Sequence, residues 1–134
     1  MTTRKSFLAM AALAAATLAV PIGAHHSFAM FDQTKSVTLK GQVAEFQWTN
    51  PHAFIELNVG NDRWSIELNS PNNLTRQGWR RSTLKAGDNV AVTINPLRNG
   101  KKGGLFNKVV LPDGKVLGDG RPQGAGAINV PTAN

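Results

Sequence analysis

From residue 35 onward, apolar side chains recur at every second position in short runs. Val37 and Leu39 share one face, and beyond Gly41 the run resumes at Val43. Ala53, Ile55, Leu57 and Val59 alternate with Phe54, Glu56 and Asn58. Trp64, Ile66 and Leu68 alternate with Arg63, Ser65 and Glu67. Val90, Val92 and Ile94 mark a fourth run, and residues 105–111 a fifth. A period of two is the mark of a strand with one buried face, so five strands are predicted. Gly41, inside the longest run, predicts a bulge or sharp bend. Asn50-Pro51, Gly60-Asn61-Asp62, Lys85-Ala86-Gly87-Asp88 and Pro112-Asp113-Gly114 punctuate the runs as turns.

One segment departs from period two. Ser70 can cap a helix, Pro71 suits its first position and Gly78 its exit, which predicts two turns over residues 71–77. Trp79 follows and is expected to plug the core. Three strands, a short helix and two strands, with a long bent first strand, is the order of a small all-β, five-stranded OB-like barrel. A small open sandwich of the same strands is the alternative. Val43, Ile55, Leu57, Ile66, Leu68, Val92 and Ile94 should point inward.

The chain of 134 residues carries one such domain. Arg4 and Lys5 precede an uncharged Ala/Leu-rich run over residues 7–20, followed by Pro21, Ile22, Gly23 and Ala24. This pattern predicts a signal peptide over residues 1–24, cleavage before His25 and a periplasmic or secreted product. The run is too short to span a membrane comfortably, and no transmembrane segment is expected in the mature chain. Residues 25–117 form the expected domain, with a lead-in over residues 25–34. Residues 118–134, rich in Gly and Pro, read as a flexible tail with little to bury. Cys is absent, which excludes disulfides, thiol catalysis and thiolate metal sites.

The expected cleavage would make His25 and His26 the first two mature residues. A terminal His offers its α-amine and its imidazole Nδ1 to one ion, and a second imidazole completes three nitrogens. Nitrogen-rich tetragonal sites suit Cu(II), the tightest binder of the divalent series, with zinc as the alternative. His52, in the turn after Asn50-Pro51, is the remaining His and the candidate third ligand. Read alone, it is a loop His that fixes its turn by a hydrogen bond. Met30 and Asp32 are further donors, although Phe28, Met30 and Phe31 read better as an apolar strap over the barrel.

The formal net charge is +7. Arg76, Arg80, Arg81 and Lys85 flank the short helix. Arg98, Lys101, Lys102 and Lys108 sit in or beside the loop joining the last two strands, where Gly100, Gly103 and Gly104 would let a ligand approach the backbone. Arg98, Lys101 and Lys102, with Trp48 and Asn50 as a stacking and polar contact, form a candidate surface for an anionic polymer or a periplasmic partner protein. Solvated basic residues are the simpler account, and nucleic acid is disfavoured as a partner. Trp64 and Trp79 read as core. The acids are scattered and no serine nucleophile motif occurs, so catalysis is not expected.

The strings His25-His26-Ser27-Phe28, Phe31-Asp32, Val37-Thr38-Leu39-Lys40-Gly41, Glu45-Phe46-Gln47-Trp48-Thr49-Asn50-Pro51-His52, Ser70-Pro71-Asn72-Asn73-Leu74 and Pro112-Asp113-Gly114 together resemble the small secreted proteobacterial proteins grouped as domain of unknown function 6152. The resemblance implies an exported single-domain protein and no particular activity. The residues favour a metal-binding protein, copper first, over an OB-like binding module.

Overall fold

The computed structural model describes residues 28–121 and the short strand Ile128–Asn129. The expected signal peptide, His25, His26 and most of the expected tail lie outside the described residues. The elements are a 3-10 turn (Phe28–Met30), β1 (Lys35–Gln47), β2 (Phe54–Val59), β3 (Asp62–Glu67), α1 (Pro71–Arg76), β4 (Asn89–Pro96), β5 (Gly103–Val110), β6 (Val116–Gly118) and β7 (Ile128–Asn129).

β1 is long enough to serve two neighbours. Its first half pairs antiparallel with β4, from Val37 opposite Ile94 to Gln42 opposite Asn89. Its second half pairs antiparallel with β2, from Gln42 opposite Asn58 to Gln47 opposite Phe54. β2 pairs with β3, β3 runs parallel to β5, and β5 returns antiparallel to β4. The ring 1-2-3-5-4-1 closes, giving a five-stranded mixed barrel with the short helix between its third and fourth strands. The OB-like expectation therefore describes this fold. Two short additions were not expected: β6 lies against β5, and β7 lies parallel to the start of β1.

The bend in β1 has two parts. The register slips between Val43 and Glu45, a bulge that skips Ala44. At Gly41 the chain passes so close to β2 that a Cβ would sit 2.2 Å from the Asn58 carbonyl oxygen. Only glycine fits where the strand turns from one partner to the next. Gly41→Ala should cost about 3 kcal/mol, the upper end for overpacking. The check is the midpoint of denaturant unfolding, which should fall sharply at an unchanged slope.

All seven residues expected inside are buried. The helix starts as expected: Ser70 Oγ accepts from the Asn73 amide at 3.3 Å, Pro71 occupies the first turn, and Gly78 leaves it at φ +88°. It ends at Arg76, one residue before the expected limit, and buries Pro71 and Leu74. Trp79 is fully buried between Phe46 and Phe106, with ring centroids 5.8 and 5.5 Å away. Its indole Nε1 donates to the Gly118 carbonyl at 2.7 Å.

That bond belongs to a stretch assigned from sequence to the tail. Residues 118–121 instead pack on the barrel: Asp119 is 2% exposed, and Asn69 Nδ2 donates to its carbonyl at 3.3 Å. The contacts are polar, so a search for apolar periodicity passes over them.

Candidate functional site

The lead-in is tied down by hydrogen bonds more than by apolar contact. Phe31 alone of the three expected strap residues is buried; Phe28 and Met30 are 43% and 48% exposed. Arg98 binds the segment twice, its amide donating to Met30 O and its Nε to Ala29 O, both at 3.0 Å. The Asp32 amide donates to Pro96 O at 2.8 Å. The Asp32 carboxylate, considered above as a metal donor, is engaged inside the lead-in. Thr34 Oγ1 donates to it at 2.6 Å and Lys35 Nζ lies 3.2 Å away. The Thr34 hydroxyl chiefly holds this carboxyl below its ordinary value of 3.8, with Lys35 and the Thr34 amide adding to it.

A depressed carboxyl stabilises the fold fully above its unfolded value, and that contribution is lost as pH falls through the lower folded value. Protection factors of the Thr34 and Lys35 amides should therefore drop in acid below pH 3.8. In Asp32→Asn they should already be low at neutral pH and change little on acidification.

His52 lies in the loop between β1 and β2, one residue before its end. Thr49 Oγ1 donates to its carbonyl at 2.8 Å, and the Asn50–Pro51 peptide is cis. The flanking Ala53 amide donates to Asn69 O at 3.2 Å, and Ala53 O accepts from the Leu68 amide at 2.9 Å, which pins the loop to the end of β3. The half-buried imidazole bonds through Nδ1 to Oε1 of Glu67, the last residue of β3. Trp48, half-buried, meets Phe46 edge-on at 5.6 Å, and Asn50 is exposed.

Glu67 is the junction of a larger cluster. Arg121 Nη2 lies 3.5 Å from the Glu67 carbonyl oxygen. Arg121 Nε donates to Asp119 Oδ2 at 2.6 Å, and its Nη2 pairs with the same carboxylate. The other side of this guanidinium faces the Phe28 ring, 5.6 Å from its centroid. The lead-in at Phe28 is thus joined to His52 through Arg121 and Glu67. Among the described residues no group of three His, Asp or Glu side chains is arranged to hold a metal ion.

The basic loop is less available than its composition implies. Arg98 grips the lead-in and also lies 3.8 Å from Asp32. Lys102 Nζ is 3.3 Å from Asp62 and covers the Trp64 ring at 5.3 Å. Of the three cations of the candidate surface, Lys101 remains exposed without an ion pair among the described residues. Gly103 and Gly104 lie in β5, not in the loop. A Cβ on Gly103 would meet Leu97 at 2.8 Å, and one on Gly104 would meet Ile94 at 2.5 Å. They admit the barrel's own side chains, which corrects their reading as a ligand approach. His52 and Lys102 lie toward opposite ends of β3, so the loop candidates do not form one surface with the His52 loop.

An open groove of about 480 Å³ between β1, β4 and the 110–112 turn is lined by none of the candidate metal or ligand residues named from sequence. No helix among the described residues is long and apolar enough to cross a membrane.

Glu67, Asp119 and Arg121 were not anticipated as members of this cluster. Glu67 had a usable signal. The two-residue turn between Val59 and Asp62 sets Phe54 opposite Glu67, and His52 lies two residues before Phe54 on the same face. Asp119 and Arg121 offered none, since they sit in a Gly-rich stretch without periodicity.

No curated protein matches the chain. A family comparison matches residues 12–107, which include His25, His26 and the Trp48–His52 string but not Pro112-Asp113-Gly114. With well over half of its length matched, the chain belongs to the Family of unknown function (DUF6152).

Proposed function

We propose that this is an exported periplasmic protein that binds one metal ion, Cu(II) first and Zn(II) as the alternative. The α-amine and Nδ1 of His25 chelate the ion, and an imidazole of His52 or His26 completes the set. Binding, not catalysis, is the proposed activity. One observation carries the reading: Phe28 packs on Arg121, which reaches the backbone carbonyl of Glu67, and the carboxylate of Glu67 holds the His52 ring. His26 precedes Phe28 by two residues, a reach of about 7 Å.

The His52–Glu67 contact supports the same reading chemically. A carboxylate bonded to one ring nitrogen fixes the tautomer and orientation and makes the other nitrogen a better donor. In the tautomer that donates Nδ1–H to Glu67, Nε2 is the nitrogen that would take the metal. The rival anionic-polymer surface has less support, because Arg98 and Lys102 are engaged within the fold.

The test is calorimetric titration of Cu(II) into protein whose mass places His25 at its N-terminus. One ion per chain, bound well above the affinity of a chain with His25→Ala, is expected. Equal weak binding by both forms would overturn the reading. An exported form that retains residues 1–24 would remove the α-amine ligand and do the same.

A further inference from the structure

We propose that the open groove over β1, β4 and β5 is a binding site for a medium-chain carboxylate. Strand alternation builds it. Leu39, Val43, Val90, Val92, Val109 and Leu117 are buried, so Lys40, Gln42, Asn89, Ala91, Val110 and Val116 face outward. Register sets four of these in one row across the sheet. Lys40 lies opposite Ala91, Ala91 opposite Val110, and Val110 opposite Val116, which is 56% exposed. Gln42, opposite Asn89, stands beside the Lys40 end. The row therefore has a cation and two carboxamides at one end, with three apolar side chains leading away from them.

Among the described residues this polar end has no partner within the fold. Lys40 makes no ion pair there, and the side chains of Gln42 and Asn89 make no hydrogen bond. The next row of the same face closes on itself, the hydroxyls of Thr38 and Thr93 bonding at 2.9 Å. Among the described residues no acid lines the groove. The acids adjacent in sequence, Asp88 and Asp113, accept from the amides of Lys85 and Lys115, both at 2.9 Å. One ammonium and two carboxamides with no anion beside them suit the two oxygens of a carboxylate. The apolar remainder suits an unbranched chain. Four strands spaced about 4.8 Å apart give the row a length of about 14 Å, and Ala91 at its centre keeps the floor low.

The test is a titration of sodium decanoate, kept below its micelle concentration, into nitrogen-15-labelled protein, read by amide chemical shifts. Saturable shifts are expected at Ala91, Val110 and Val116. Octanoate should bind about fourfold more weakly. Two fully buried methylenes would account for more than tenfold, and in an open groove each stays partly wet. Decyltrimethylammonium has the same chain with the opposite charge and should bind more weakly than decanoate. Shifts that do not saturate, shifts centred on the exposed Phe28 and Met30, or equal binding of the cation would overturn the proposal. So would binding to vesicles of anionic lipid without binding of dissolved decanoate, which would make this face a membrane contact.

Two variants then separate head from chain. Lys40→Gln, on the surface, should weaken decanoate about threefold to fivefold, the most an exposed ion pair contributes, and leave decanol unchanged. Ala91→Leu raises the floor of the groove and should remove the saturable shifts for both ligands. An equal loss of decanoate and decanol in Lys40→Gln overturns the role of the cation. Full binding by a folded Ala91→Leu protein overturns the placement of the chain.

Discussion

A single alanine placed before His25 should lower Cu(II) affinity by at least about a hundredfold, beyond what loss of even an outer partner commonly costs. The reason is bond topology. In the proposed chelate the α-amine and Nδ1 belong to one residue and close a ring on the ion. The added alanine turns that amine into a peptide nitrogen, which must lose a proton before it can bind. The new terminal amine, one residue further out, closes a different ring. The effect is read by competition with a chromogenic chelator at neutral pH, where much of the imidazole and part of the α-amine are deprotonated. Equal affinity of the two forms would end the chelate hypothesis.

His52→Ala then separates the two donor sets. If His52 supplies the third nitrogen, affinity falls steeply and the copper spectrum changes. If His26 supplies it, affinity holds and the fold loses the Glu67 bond, about 1.5–3 kcal/mol for a bond to a charged group.

The largest loss of stability is expected at Trp79. Trp79→Ala empties a fully buried site between Phe46 and Phe106 and should cost about 3–5 kcal/mol. Domains of this kind have about 5–15 kcal/mol in all, so the variant would be marginal at best. Trp79→Phe is the more instructive change. It keeps most of the apolar volume but removes the donor to Gly118 O, a loss of about 0.5–1.5 kcal/mol for one hydrogen bond. Because Gly118 leads into Asp119 and Arg121, amide exchange should quicken in residues 118–121 before the barrel opens. Uniform quickening across the barrel would mean that Trp79 does not tether this segment.

The strands and the core were legible because period two reports burial directly. Ile55, Leu57, Ile66, Leu68, Val92 and Ile94 alternate without interruption, and each points inward. Gly41 was legible as a bend, but not as the point where β1 changes partners, since that depends on how near Asn58 comes. The loop glycines misled for the same reason. A missing side chain reports close approach without saying what approaches, and at Gly103 and Gly104 it is Leu97 and Ile94. His52 could be named as a candidate, whereas its partner Glu67 needed a hairpin register. The Asp119–Arg121 pair was out of reach, because polar packing across 50 residues leaves no local pattern.

The ring of strands also sets the order in which the molecule can be built. β1 is held on one side by β2, its neighbour in sequence, and on the other by β4, so Val37 waits for Ile94. The β3–β5 seam likewise joins Ser65 to Gly103. A chain emerging from its N-terminus can form the β1–β2–β3 meander early, but both seams that close the cylinder need its last third. Long-range closures of this kind are slow relative to local ones. Until then the meander has two open strand edges, and the polypeptide remains unclosed and threadable.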